Sequence, residues 1–114
     1  MKPFSVALFA VLLAGAALPA SAQTQTQAPG LVLSTGKVFT DAAGAYISVS
    51  VKNAGTATVA EAYVACEFFA GNRTLGKAAT TVFSIVGGMT GSDQVRMLGA
   101  SRATRAACAI TGQK

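Results

Sequence analysis

The residues best equipped for covalent chemistry are two cysteines, Cys66 and Cys108, in a chain without a single histidine. Two thiols in an exported chain have one intramolecular partner each, and an oxidising compartment permits the bond. Closing a loop of about 42 residues would remove roughly 4 kcal/mol of freedom from the unfolded chain. Two free buried thiols and a redox pair are the alternatives. The redox pair lacks both a C-x-x-C spacing and a neighbouring histidine.

Other chemistry is mostly excluded. Without histidine there is no histidine zinc site, no Cys-His copper site and no His-dependent catalytic triad. Four acids are too few, and too scattered, for an oxygen-ligand cage. Glu61 and Glu67 share one strand face but stand about 20 Å apart along it, beyond the reach of a paired-carboxylate glycosidase. Glycine runs at Gly71–Gly76 and Gly88–Gly91 do not open a helix after a strand, so they do not cradle phosphate. Asn72-Arg73-Thr74 fits the glycosylation triplet and marks at most an exposed hairpin. The expectation is therefore no catalytic, cofactor-binding or metal residue, and no enzyme. Tyr46, Tyr63, Arg73 and Arg96 remain as candidate interface residues.

The first 22 residues read as a targeting segment. Lys2 gives a positive start, and Val6 to Leu18 is unbroken apolar and small sequence. Pro19 ends it, and Ala20-Ser21-Ala22 offers small residues for cleavage after Ala22. The apolar run of about 13 residues is short for a membrane span, which takes about 20. The expected mature protein is periplasmic or secreted, without stable membrane insertion. Residues 23–30 (QTQTQAPG) read as a flexible polar leader. Residues 31–114 form the single domain.

That domain is small enough to be marginal on hydrophobic burial alone. Its pattern is all-β. Leu31 to Thr40 is a strand with a bulge at Gly36, and Asp41 to Gly44 is a turn with Gly44 available for a positive φ. In Ala45 to Asn53, Ile47, Val49 and Val51 alternate with Tyr46, Ser48, Ser50 and Lys52, the period of a half-buried strand. Val59 to Phe69 alternates as well, with Ala62, Val64, Cys66 and Phe68 on one face. A helix is the rival there, set aside because both glutamates then share the other strand face. Thr74 to Val86 divides into an irregular strand and a better one from Thr80. Ser92 to Leu98 and Arg105 to Thr111 complete the set, the latter with Ala106, Cys108 and Ile110 on one face. Six or seven short strands separated by turns predict a β-sandwich.

The run from Ile47 to Met97 resembles the FxLYD-type domains, small immunoglobulin-like or fibronectin-like modules of bacterial envelope proteins. The likeness lies in Val51-Lys52-Asn53 before a Thr/Gly-rich loop, in Phe68-Phe69 followed by a turn and Leu75-Gly76, and in Val82 to Val86 running into Gly88-Met89-Thr90. Phe69, Ala70 and Gly87 depart from the family's usual Tyr, Asp and Pro. The resemblance implies an immunoglobulin-like sandwich. It also implies that the Ile47 and Ser92–Leu98 strands share one sheet and the Cys66 and Cys108 strands lie side by side in the other. The usual last strand would then be missing, leaving an edge open to an extended segment unless Leu31–Thr40 covers it.

After loss of Lys2, eight basic residues face four acids with no basic run. Scattered positives of this kind make a solvated face, or contact an anionic envelope component. Nucleic-acid binding is not expected without a basic stripe interleaved with aromatics. Two readings result: a non-enzymatic binding or structural module of the bacterial envelope, or a small periplasmic inhibitor acting through its Ala70–Arg73 or Val86–Gly91 turns. Neither the partner protein nor the oligomeric state is legible in the sequence.

Overall fold

The computed structural model describes residues 24–114. They form seven strands, with no helix among the described residues. These are β1 (Thr24–Ala28), β2 (Leu31–Asp41), β3 (Gly44–Asn53), β4 (Val59–Ala70), β5 (Arg73–Ile85), β6 (Thr90–Leu98) and β7 (Arg105–Gln113). All pairings are antiparallel, in a sheet of order β1-β2-β3-β6 and a sheet of order β5-β4-β7. The fold is thus sandwich-like, and β3 and β4 lie in opposite sheets. The expected signal peptide, residues 1–22, lies outside the described residues.

Period-two alternation builds the core. Ile47, Val49 and Val51 of β3 and Ala62, Val64, Cys66 and Phe68 of β4 are all buried. They meet Leu31 and Leu33 of β2, Val82 and Ile85 of β5, Val95 of β6, and Cys108 and Ile110 of β7. The alternating faces leave Ser48, Lys52 and Gln94 exposed. Helix propensity in the Ala- and Glu-rich β4 is overridden, because only an extended strand points its four apolar side chains to one side.

Several boundaries differ from expectation. β1 falls within the polar leader. Its Thr/Gln backbone pairs with Leu31–Ser34 across the turn at Gly30, and such pairing needs no apolar side chain. Thr74 to Val86 is one strand, not two. β5 runs through, with its irregularity taken up at Gly76, φ 150°, opposite the register shift between Phe68 and Phe69. Gly44 is not needed for a positive φ. A Cβ there would lie 2.1 Å from the Met97 carbonyl oxygen, so the glycine permits close approach of β6. β2 bulges between Thr35 and Val38 around Gly36, as expected, but it pairs with β1 and β3 and not with β7.

Side chains join the two sheets along one flank. A Cβ at Gly91 of β6 would fall 2.6 Å from Val82 Cγ1 of β5. The Thr80 hydroxyl of β5 donates to Asp93 of β6 at 2.5 Å. At one end, the buried Asn53 joins the loops: Nδ2 donates to the carbonyls of Ala57 and Ile85, each at 2.8 Å, and Oδ1 accepts from the Gly55 amide at 2.9 Å. A buried amide so fully partnered is specific and costly to remove.

Cys66 and Cys108 face each other across β4 and β7 and form a disulfide, with 4.0 Å between their α-carbons. Reduction is expected to lower stability by about 4 kcal/mol in the chain-entropy account, read as a lower urea midpoint. The oxidised protein should gain the mass of two hydrogens on reduction; alkylation without reductant would count against the bond. Phe68→Ala empties the largest fully buried side chain, and a loss of about 3–5 kcal/mol is expected by the same measurement.

Candidate functional site

On the outer face of the β1-β2-β3-β6 sheet, one row crosses three strands. Phe39 of β2 stands opposite Tyr46 of β3, which stands opposite Arg96 of β6. The two rings stack with centroids 5.6 Å apart and planes at 23°. The Arg96 guanidinium carbon lies 4.9 Å from the Tyr46 ring centre, and Lys37 Nζ lies 5.9 Å from that of Phe39. Cross-strand neighbours of this kind are the contact unit of a sheet, and cations favour aromatic faces. Two of the four candidate interface residues, Tyr46 and Arg96, are therefore direct partners. Phe39 belongs with them and was not singled out from sequence, because its pairing depends on the register beyond the bulge.

Arg96 also reaches Asp41, with Nη2 to Oδ2 at 3.2 Å, the only ion pair among the described residues. The other Asp41 oxygen accepts from the amides of Ala43 and Gly44 at 2.9 and 3.0 Å. The Arg96 hydrogen bond first, then the two amides, hold the Asp41 carboxyl below the usual carboxylate range.

Tyr63 lies on the other sheet. Its hydroxyl donates to Glu61 at 2.5 Å, and this bond, together with desolvation, pushes the phenol up from its ordinary value. Arg73 opens β5 beyond the turn at Gly71, φ 62°. That turn is tied to the β6–β7 loop. The Thr104 amide donates to the Phe69 carbonyl at 2.7 Å, the Gly71 amide to Thr104 Oγ1 at 2.9 Å, and Arg105 Nε to the Gly71 carbonyl at 3.2 Å. The Arg105 guanidinium lies 4.0 Å over the Phe69 ring. Arg73 thus joins Arg102 and Arg105 at one end, away from Tyr63's neighbour Glu61.

The outer backbone of β7 is the other notable feature. The 4.0 Å separation of Cys66 and Cys108 marks a narrow, non-hydrogen-bonded pair. Cys108 therefore turns its N–H and C=O away from β4, and by alternation so do Ala106 and Ile110. β7 ends its sheet, and no described strand pairs with this side. β1 and β2 of the facing sheet come close to β7, where Gln113 Nε2 donates to the Pro29 carbonyl at 3.2 Å, and neither is a sheet neighbour of β7. From Ala106 to Gln113 there is neither a charge nor a proline to blunt the edge. Among the described residues no group of three or more His, Cys, Asp or Glu side chains is placed to hold a metal.

The Asp41 contacts set a pH dependence. The unfolded carboxyl titrates near its ordinary value of about 4. Because the folded pKa is lower, the Asp41 contribution to stability is complete above the unfolded pKa and is lost as pH falls through the folded one. Asp41→Asn is expected to lower the urea midpoint slightly at neutral pH. The gap to the wild type should close on acidification below the carboxylate range; a gap that persists there would assign the loss to something other than ionisation. No protein-family model, curated protein or solved structure matches the chain.

Proposed function

We propose that the chain is an exported, non-enzymatic binding module of the bacterial envelope that takes an extended polypeptide segment along its free β7 edge. The carrying observation is that edge: Ala106, Cys108 and Ile110 direct backbone donors and acceptors outward over an uncharged strand. Such an edge is a template for strand addition, with main-chain hydrogen bonds supplying affinity. The disulfide accords with export to an oxidising compartment. So does the signal-like sequence ahead of Ala22.

An immunoglobulin-like reading, of the FxLYD type, deepens the proposal. If β2, β3 and β6 correspond to strands A, B and E, then β5, β4 and β7 correspond to C′, C and F. The position beyond β7 is then that of the strand G that such domains use to close this sheet. A polypeptide partner would occupy the same place.

Proline tests the edge selectively. At Ala106 it removes an outward N–H and leaves the β4 ladder intact, which an edge strand tolerates. Capture from an envelope extract with wild-type protein, Ala106→Pro and Arg73→Ala is expected to lose the bound polypeptide only with Ala106→Pro, at an unchanged urea midpoint. Loss with Arg73→Ala and retention with Ala106→Pro would overturn the edge and point to the turns.

A further inference from the structure

We infer that the end of the molecule formed by the β2–β3, β4–β5 and β6–β7 turns docks on an anionic lipid bilayer surface. All four arginines of the chain gather there. Arg73 follows the β4–β5 turn, Arg102 lies in the β6–β7 loop, Arg105 opens β7, and Arg96 sits two residues before the end of β6. Four backbone-anchored hydrogen bonds fix the turns to one another: Gly99 amide to Ala43 carbonyl at 2.8 Å, Thr104 amide to Phe69 carbonyl at 2.7 Å, Gly71 amide to Thr104 Oγ1 at 2.9 Å and Arg105 Nε to Gly71 carbonyl at 3.2 Å. Asp41 is the acid of the three turns, and it is engaged by Arg96. Arg73, Arg102 and Arg105 make no ion pair among the described residues.

Leu98, 72 % exposed at the close of β6, is an apolar side chain presented at this end. Arginines at the same end as an exposed leucine match a bilayer interface, where headgroups meet the cations and the acyl boundary receives the apolar group. The aromatic faces near these arginines are already occupied. Arg105 covers Phe69, while Arg96 and Phe39 flank Tyr46. They are not free to stack bases, which disfavours a single-stranded nucleic acid as the partner. The other end presents no arginine: its loops Ala54–Thr58 and Val86–Met89 carry no charge at all.

The test is co-sedimentation of the full exported protein with two kinds of vesicle. One is an equal mixture of phosphatidylglycerol and phosphatidylcholine, the other phosphatidylcholine alone. Binding to the anionic vesicles only, weakened by salt, is expected. A basic residue near such a surface is worth about fivefold, so Arg73→Gln with Arg102→Gln should weaken binding about 25-fold. Lys52→Gln, on the outer sheet face away from these turns, should change it less than about twofold, as a scattered surface charge would. Leu98→Gln should weaken it further, and Ala106→Pro should leave it unchanged, which separates this surface from the β7 edge. Equal binding to both vesicles, or an unaffected arginine double variant, would overturn the inference. Binding of soluble polyphosphate through the same arginines without binding of vesicles would overturn it as well. Equal urea midpoints show that each variant folds.

Discussion

An edge strand has one neighbour and therefore one ladder of hydrogen bonds to keep it in place. For β7 that ladder runs to β4, and the Cys66–Cys108 bond sits within it, between directly opposed residues. A one-residue slip of β7 would turn Ala106, Cys108 and Ile110 from the core to the surface. The cross-link forbids that slip. It makes the position of the strand independent of whether anything lies on its outer side, so an unpaired backbone can persist in a folded domain. The core-facing order of β4 depends on the same fixed register, since Val64, Cys66 and Phe68 meet the opposite sheet from its centre.

Asn53 plays the corresponding role for the loops. It ends β3 as a buried polar residue, satisfied by partners in its own loop and by the Ile85 carbonyl of β5. Its backbone also exchanges bonds with the next loop, donating to the Met89 carbonyl at 2.9 Å and accepting from the Gly88 amide at 2.8 Å. One residue thereby couples the β3–β4 and β5–β6 connections. The arginine end is held differently, by main-chain bonds between turns and by a guanidinium laid on a ring. One end of the domain is fixed through a neutral amide, the other through cations.

What was legible in the sequence follows from range. Ile47, Val49 and Val51, and again Ala62 to Phe68, announce their strands because period two is a local property. Two cysteines announce one bond because no third thiol competes. The reason for Gly44 lies across the sheet in the Met97 carbonyl, more than fifty residues on, where no local pattern reaches. β1 has no local signal because Thr and Gln reveal nothing about backbone pairing, and the continuity of β5 rests on pairing with β4 that the irregular Thr74–Ala79 pattern does not show. The site suffered most. Tyr46 and Arg96 were chosen singly, and only the register of β3 with β6 makes them partners. The gathering of Arg73, Arg102 and Arg105 is a product of topology, written in no spacing.

The joined flank has a consequence for assembly. With Gly91 closing β6 against Val82, and Thr80 bound to Asp93, the outer strands β5 and β6 are tied to one another across the two sheets. The remaining outer strands, β1 and β7, lie together on the opposite flank. A second copy added antiparallel at β7 would form an isologous pair that uses both β7 edges, while the outer sides of β1, β5 and β6 stay unpaired.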